Sequence, residues 1–424
     1  MSDAIRQTVP KGFRLHIGIF GRRNVGKSSL LNTLTRQQSS IVSDQAGTTT
    51  DPVEKPMELL PVGPVLFIDT GGIDDTGTLG ELRIKKTKDV FDRTEIGLIV
   101  SAENHEGGAL TDYEKAIIAE LQKRNVPVLF VFNKTDLSVP KAQTLEYLRE
   151  HKIPFIAVTS VVLTSVAATS AHGSEGAARS ALIGALIKIV PEDFLTPPPI
   201  LSDLVPEGAM TVLVVPVDKE APKGRLILPQ VQAIRDILDA HQSCIVVQDA
   251  QLKDVIARVT PPPALVVTDS QAFEQVAEYT PASIPLTSFS ILFARQKGDF
   301  KSLVEGTQAL ANLKPGSKVL IAESCTHHPI GEDIGTVKIP NWLRQYVGGE
   351  VEIKQCQGHD FPLDTLPEFD IVIQCGACMW NRREVISRQM HCRSAGVPMT
   401  NYGLAIAFLL GIFDRAIKPL EGKY

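Results

Sequence analysis

This sequence of 424 residues has no excess of positive charge and no apolar run of membrane-spanning length. Its 43 Lys and Arg residues against 48 Asp and Glu give a net charge of −5, which argues against a strongly basic nucleic-acid-binding surface. The best apolar run, 404–413, is shorter than the about 20 residues that a transmembrane helix needs. Residues 1–10 lack the apolar core of a signal peptide. We therefore expect a cytoplasmic protein that binds neither nucleic acid nor membranes.

Cysteine is scarce as well, with six residues in the chain, and its distribution is informative. Cytoplasmic cysteines stay reduced, so a clustered subset indicates metal ligands rather than disulfides. One group has the sequence C-T-H at 325–327 and the other has C-G-A-C at 375–378, each following a strand-like run. Thiolate sulfurs are soft ligands that suit an iron–sulfur cluster or zinc. The predicted metal ligands are Cys325, His327, Cys375 and Cys378.

A phosphate-binding loop stands near the start of the chain. Residues 21–28 have the sequence G-R-R-N-V-G-K-S and follow the apolar run 15–20, which matches the G-x-x-x-x-G-K-S pattern of nucleotide-binding proteins. Its glycines allow backbone N–H groups to surround phosphates, and the helix that follows adds partial positive charge. We expect Lys27 to reach the β- and γ-phosphates and Ser28 to bind Mg²⁺.

Three further segments occur in the order that a guanine-nucleotide site requires. Residues 47–50 (G-T-T-T) would supply a switch threonine near the γ-phosphate, and Asp69 of 69–72 (D-T-G-G) would hold Mg²⁺ through water. Residues 133–136 (N-K-T-D) follow a buried strand, and the Asp136 carboxylate can accept two hydrogen bonds from guanine that adenine cannot donate. The sequence therefore predicts that the chain binds GTP and Mg²⁺ and hydrolyses GTP to GDP and phosphate.

These four segments resemble the GTPases of the Era and TrmE type. In that family an asparagine at the position of Asn24 binds an activating K⁺ ion, and the resemblance implies that residues 43–48, beginning with Ser43, surround this ion. A fixed cation can offset charge that develops in the transition state. The resemblance also places Thr49 beside Ser28 on Mg²⁺. The alternative is that Asn24 only caps the loop.

Two positions leave the catalytic details open. Ile73 stands where many GTPases have a water-orienting glutamine, and an apolar side chain cannot orient water, so slow intrinsic turnover is expected. Glu81 stands where the TrmE family has a catalytic glutamate, although a solvated glutamate at a helix start is the simpler interpretation.

The guanine-stacking S-A motif has two candidates, residues 159–160 (T-S) and Ser170-Ala171, and the second has the better sequence.

The residues predicted to act on the nucleotide fall into two groups. The predicted catalytic residues are Lys27, Thr49, Asp69, Gly72 and Glu81. The predicted nucleotide contacts are Gly21, Asn24, Val25, Gly26, Lys27, Ser28, Ser29, Thr48, Thr49, Asp69, Gly72, Asn133, Lys134, Asp136, Ser170 and Ala171.

The GTPase segments and the cysteine pattern together resemble the HydF family over the whole chain. HydF proteins are GTPase scaffolds in the maturation of FeFe-hydrogenase. The resemblance implies that Cys325, Cys375 and Cys378 hold a 4Fe-4S cluster in which one iron keeps an exchangeable ligand. It also implies a homodimer or tetramer that carries a diiron precursor from HydE- and HydG-like maturases to the apo-hydrogenase HydA.

The chain departs from this family pattern at one position. Where the family has a histidine before C-x-x-C, this chain has Gln374, and an amide is a poor iron ligand compared with imidazole. The fourth iron ligand is therefore His327, water or a residue from elsewhere. A labile fourth position suits a scaffold that accepts and releases cargo, because four thiolates would close the coordination shell.

Alternating apolar strands and helical segments predict an α/β fold with three α/β domains, the first a P-loop GTPase fold. The Pro-rich segment 196–200 indicates a boundary. We predict a GTP-binding domain at 1–190, a dimerisation domain at 191–285 and an iron–sulfur cluster-binding domain at 286–424.

Two other functions explain parts of the sequence. An Era- or TrmE-like GTPase in ribosome assembly or tRNA modification would account for the N-terminal half, but it predicts a basic RNA-binding tail, and the last third has no basic runs. A structural zinc site of three Cys and one His would account for the cysteines. A metallocluster scaffold, in which GTP hydrolysis controls partner exchange, accounts for both halves.

Overall fold

The computed structural model describes residues 9–35, 52–70, 89–158, 172–216, 226–324 and 333–424, with the side chains of 172–178 outside the description. The chain forms two compact units, Met1–Pro197 and Pro198–Tyr424, and the division falls within the Pro-rich segment 196–200. None of the helices in the described ranges has the length and apolar character that crossing a bilayer requires.

The first unit contains a six-stranded sheet. Its strands are β1 (Leu15–Phe20), β2 (Val53–Leu59), β3 (Gly63–Asp69), β4 (Ile96–Ser101), β5 (Val128–Phe132) and β6 (Phe155–Ala157). They lie in the order β2-β3-β1-β4-β5-β6, and β2 is antiparallel to β3 while the other pairs are parallel. Every residue of β1, β4 and β5 is buried, as expected for central strands that are covered on both faces.

Helices pack on both faces of this sheet. They are α1 (Lys27–Thr35), α2 (Asp112–Lys123), α3 (Ala142–Glu150), α4 (His172–Ile187) and α5 (Glu192–Leu195), and residues 89–93 are also helical. Leu30 and Leu182 belong to the buried cluster on one face, and Ile118 and Leu148 to the cluster on the other. The predicted α/β class of the N-terminal region is therefore confirmed.

The second unit contains two four-stranded parallel sheets. Strands β7 (Met210–Val214), β8 (Ser243–Val247), β9 (Leu265–Thr268) and β10 (Leu286–Ser288) form one sheet in the order β10-β9-β7-β8. Strands β11 (Lys318–Glu323), β12 (Glu352–Gln357), β13 (Ile371–Gln374) and β14 (Met399–Asn401) form the other in the order β12-β11-β13-β14. Strand β10 completes the first of these sheets, although it lies just beyond the boundary expected at residue 285.

The helices of the second unit surround both sheets. They are α6 (Leu228–Asp239), α7 (Leu252–Arg258), α8 (Phe273–Tyr279), α9 (Phe289–Lys297), α10 (Phe300–Thr307), α11 (Ile339–Val347), α12 (Arg382–Ser394), α13 (Tyr402–Leu409) and α14 (Phe413–Ile417). A single buried cluster includes Leu213 and Val267 of the first sheet and Leu320 and Val372 of the second. The two sheets therefore share one continuous hydrophobic core.

A buried ion pair fixes the segment after β1 in the first unit. Arg22 is buried, and its Nε donates to the Oε1 of Glu114 at 2.7 Å. The same guanidinium donates to the carbonyl oxygens of Glu106, at 2.6 Å, and Gly108. Glu114 is fully buried and also accepts from the backbone N–H of Thr111 at 2.9 Å. The guanidinium thus links the phosphate loop to the start of α2.

We expect Glu114→Ala to lower the free energy of unfolding by about 3–5 kcal/mol, because it leaves the buried Arg22 cation without its anion. Denaturant unfolding followed by circular dichroism measures this loss. Asp112→Ala is the control, because the Asp112 side chain is fully exposed and forms only a surface ion pair, with 3.7 Å between its Oδ1 and the Lys115 Nζ. This control variant should leave the midpoint of denaturant unfolding unchanged. Equal losses in the two variants would contradict a special contribution from the buried pair.

Candidate functional site

The phosphate loop has backbone geometry that only certain residues allow. Gly21 has a φ of +147°, and a Cβ atom there would lie 2.1 Å from the carbonyl oxygen of Val100, so no larger residue fits. Gly26 has a φ of +94°. Asn24, between them, is exposed and has a φ of +61°, a left-handed conformation that asparagine tolerates better than most residues. The loop is therefore a tight turn between β1 and α1.

Lys27 lies at the centre of this turn. Its side chain is buried, and its Nζ donates to the carbonyl oxygens of Gly21 at 2.6 Å and Arg22 at 2.8 Å. The loop thus curls around a buried ammonium group at the start of α1. An ammonium group carries the charge that binding of phosphates needs, and the contact of Lys27 with phosphates stays a prediction.

Two of the three predicted Mg²⁺ residues, Ser28 and Asp69, contact each other in the structure. The Oγ of Ser28 donates to the Oδ2 of Asp69 at 3.1 Å, and Asp69 is the buried last residue of β3. Lys55 of β2, which the sequence analysis missed, interacts electrostatically with Asp69, and burial lowers the pKa of this lysine. Its Nζ donates to the Oδ1 of Asn32 at 3.1 Å. Nothing in the sequence around Lys55 indicates that this lysine lies near Asp69.

The N-K-T-D segment holds the phosphate loop from the other side. The Nδ2 of the buried Asn133 donates to the carbonyl oxygen of Val25 at 2.8 Å. The Nζ of Lys134 donates to the carbonyl oxygen of Asn24 at 2.6 Å. Asp136, by contrast, is exposed, as a residue that recognises a base has to be. Asn133 and Lys134 therefore hold the loop, and Asp136 remains the candidate for guanine recognition.

The remaining predicted residues lie outside the described part of the chain. They are Ser43, Thr48, Thr49, Gly72, Glu81, Ser170, Ala171, Cys325 and His327, and residues 159–160 lie outside it too. Their predicted roles in catalysis, K⁺ binding, guanine stacking and metal binding stay predictions. Ser29, predicted as a phosphate contact, lies half-buried in the first turn of α1.

The C-x-x-C segment forms a turn at the end of β13. The backbone N–H of Cys375 donates to the carbonyl oxygen of Ala322 at 2.9 Å, which continues the β11–β13 pairing by one residue. Ala377 has a φ of +48°, and the N–H of Trp380 donates to its carbonyl oxygen at 3.1 Å. Cys375 and Cys378 are both half-buried free thiols, and burial raises the pKa of Cys378.

The ends of β11 and β13 lie next to each other. The backbone N–H of Ser324 donates to the Sγ of Cys375 at 3.1 Å, and the Ser324 Oγ lies 3.3 Å from the same sulfur. Ser324 directly precedes Cys325 in the sequence. Among the described residues there is no group of three or more His, Cys, Asp and Glu side chains that could hold a metal ion. The predicted ligand set includes two residues beyond that description.

Lys297, which the sequence analysis missed, supports the cysteine turn. It is buried at the end of α9, and its Nζ donates to the carbonyl oxygens of Ala377 at 2.9 Å, Cys378 at 3.1 Å and Trp380 at 2.8 Å. Burial lowers its pKa to about 8, although the neighbouring thiols act in the opposite direction. Hydrogen bonds from this buried lysine therefore stabilise the turn that carries Cys378.

Family models match most of the chain. The model described as the Hydrogen maturase F dimerization domain matches residues 200–298, and the one described as the Hydrogen maturase F tetramerization domain matches residues 301–419. The chain belongs to the HydF family. A third model, described as 50S ribosome-binding GTPase, matches residues 16–134. The expected HydF resemblance and the P-loop GTPase fold of the first domain are therefore confirmed.

Individual relatives of this HydF-family chain match its N-terminal part. The GTPase Der of Campylobacter jejuni is 36% identical over 156 residues, which is 36% of this chain and 33% of that protein. The tRNA modification GTPase MnmE of Streptococcus thermophilus is 38% identical over 141 residues, 33% of this chain and 29% of that protein. The chain thus spans about a third of the length of these curated relatives.

Solved structures share low similarity with the chain. Aquifex aeolicus Era bound to GDP and aluminium fluoride has 19% identity and a TM-score of 0.34, covering 55% of this chain and 93% of that one. The G domain of the T. maritima FeoB iron transporter has 17% identity and a TM-score of 0.30, covering 42% and 99%.

We expect Asp136→Asn to weaken GTP binding by roughly 10- to 100-fold, because an amide cannot accept both guanine hydrogen bonds. The same change should strengthen binding of xanthosine triphosphate, whose carbonyl group at C2 matches the amide N–H. Titration with fluorescent nucleotides measures both affinities. Asp112→Asn, at an exposed site on α2, is the control and should change neither. An unaltered preference in the Asp136 variant would remove this residue from base recognition.

Proposed function

We propose that this chain is a GTP-hydrolysing scaffold that binds a 4Fe-4S cluster and delivers a diiron precursor to an apo-hydrogenase. One observation carries the proposal. A member of the HydF family has a phosphate loop at the carboxyl edge of one sheet and a cysteine turn at the carboxyl edge of another. Open α/β sheets bind ligands at this edge. The two sites lie in different compact units.

The geometry of the first unit supports nucleotide chemistry. In this proposal Lys27 contacts the phosphates. The 3.1 Å contact between the Ser28 Oγ and the Asp69 Oδ2 brings together a hydroxyl and a carboxylate, which are oxygen ligands of the kind that Mg²⁺ prefers. Asn24 is exposed on the loop, where the resemblance to TrmE-type GTPases suggests an activating K⁺ ion. In this proposal the chain holds GTP, Mg²⁺ and K⁺ here, and hydrolysis controls the exchange of partners.

The cysteine turn fits an iron–sulfur cluster by its donor set. Cys375 and Cys378 are free thiols, and the backbone that leads into Cys325 lies within hydrogen-bond distance of the Cys375 sulfur. The buried Lys297 supplies positive charge beside the turn, where thiolates would be negative. A bound cluster would supply an iron atom with an exchangeable position, and His327 is a candidate for its fourth ligand.

We infer the partners from membership of the HydF family and not from contacts in the structure. Dimerization and tetramerization domains account for nearly all of residues 200–419, so we propose a homodimer or tetramer. HydE- and HydG-like maturases would supply the diiron cargo, and HydA would receive it. We place this scaffold in the cytoplasm, where its thiols would stay reduced.

A second candidate function rests on the relatives of the first unit. Der and MnmE match only the N-terminal part, and a GTPase for ribosome assembly or tRNA modification would explain that part. A structural zinc site would then explain the cysteines of the second unit. This candidate would leave the two HydF domain matches without a role. Purified protein that is colourless after iron–sulfide treatment and that captures ribosomal RNA or tRNA would favour this candidate.

We expect Cys375→Ser to remove most of the iron that the protein takes up in anaerobic iron–sulfide reconstitution, because a hydroxyl is a poor ligand for a soft cluster. Iron analysis and electron paramagnetic resonance measure the loss. Cys244→Ser, on β8 of the other sheet, is the control and should keep full iron content. Lys27→Ala should lose GTPase activity and keep the cluster. Full iron content in the Cys375 variant would refute the assignment of the site.

We expect GTP turnover to be at least about tenfold faster in K⁺ than in Na⁺, since a fixed cation offsets charge in the transition state. Asn24→Ala should abolish this difference, and phosphate release assays in the two salts measure it. Asn125→Ala is a matched control, because Asn125 has the same left-handed backbone, with a φ of 55°, in the same unit. Equal rates in both salts for the unaltered protein would count against a K⁺ site.

A further inference from the structure

Gln374 occupies the position where the family pattern has a histidine. It is the last residue of β13, its side chain is 2% exposed, and it directly precedes Cys375. Two polar neighbours and one sulfur contact its amide. Their donor and acceptor properties decide which end of the amide faces the cysteines.

The orientation of this amide follows from Arg388. The Nη1 of Arg388 donates to the Oε1 of Gln374 at 2.6 Å. A guanidinium has only donors, so the amide atom that faces it has to be the oxygen. The Nε2 therefore points the other way, 3.0 Å from the Oγ of Ser324 and 3.5 Å from the Sγ of Cys375.

Arg388 is itself held firmly. Its side chain lies in the buried face of α12, and its guanidinium carbon lies 4.1 Å from the ring centre of Trp380 and 4.7 Å from that of Phe361. Its Nη2 donates to the carbonyl oxygen of Gly358. The guanidinium is thus fixed by two aromatic rings and a backbone carbonyl, and it cannot leave the Gln374 oxygen without losing this packing.

We infer that Gln374 is a positioning residue that donates an N–H to the sulfur of Cys375 and does not bind iron through its oxygen. The inference rests on the proposed cluster at this turn. A donor to a ligand sulfur stabilises the more electron-rich reduced cluster, so Gln374 raises the reduction potential of the cluster. Arg388 acts through Gln374 by fixing the amide. The residue that replaces the family histidine thus tunes the cluster from its sulfur side.

The test is Gln374→Leu, with two measurements on the reconstituted full-length protein. A redox titration monitored by electron paramagnetic resonance should give a more negative potential, because the sulfur loses its donor. Titration with imidazole should give the same affinity as the unaltered protein, because no iron ligand has been removed. Gln374→Glu keeps an acceptor for Arg388, so it preserves the fold if the leucine variant does not, and it should also lower the potential.

Gln389→Leu is the matched control. Gln389 is a buried amide on the same helix as Arg388, but it accepts from the backbone N–H of Asp299 at 2.8 Å and donates to its carbonyl oxygen at 3.0 Å. Its loss should leave the potential unchanged. An unchanged potential in both Gln374 variants would overturn the inference, and tighter imidazole binding by Gln374→Leu would show that the amide oxygen had been an iron ligand. Absence of any cluster in the unaltered protein would instead overturn the proposed function.

Discussion

Parallel strand pairing determines where both candidate sites form, because it brings the carboxyl ends of neighbouring strands to one edge of a sheet. In the first unit the register pairs Ile19 of β1 with Asp69 of β3, so the loop that follows β1 reaches the Asp69 carboxylate. In the second unit Ala322 of β11 pairs with Gln374 of β13, and the residues just beyond them, Ser324 and Cys375, come into hydrogen-bond contact. The same geometric rule thus assembles a nucleotide loop and a thiol turn from segments that are distant in the sequence.

Buried cations stabilise the loops at these edges. Arg22 donates to Glu114 and to two carbonyl oxygens, and Lys297 donates to three carbonyl oxygens of the cysteine turn. Removing a cation from water is costly, and the carbonyl and carboxylate partners offset that cost only in a fixed geometry. A loop that satisfies a buried charge therefore cannot rearrange freely. Such rigidity would keep the predicted ligand groups of both turns in place before any ligand binds.

The local segments could be located from the sequence, but the distant residues that hydrogen-bond to them could not. The phosphate loop, Asp69, the N-K-T-D segment and the C-x-x-C turn have fixed spacings and follow apolar runs, so their place at strand ends could be predicted. Lys297 lies 80 residues before Ala377, and Arg22 lies 92 residues before Glu114, so no local pattern reveals these contacts. Strand β10 has only three residues, and its place in the sheet of β9 depends on tertiary pairing. The shared core of the two sheets in the second unit depends on tertiary packing for the same reason.

Gln374 shows why a substitution in a ligand motif needs its surroundings to be interpreted. For the amide oxygen to reach iron, the amide would have to turn and present its N–H₂ group to Arg388. Two donors would then face each other in a buried site, and an unsatisfied buried donor costs about 1–3 kcal/mol. The contacts of Arg388 with the rings of Phe361 and Trp380 oppose movement of the guanidinium to another acceptor. The network therefore disfavours Gln374 as a ligand, and the predicted fourth ligand of a cluster at this turn stays His327, water or a residue from elsewhere.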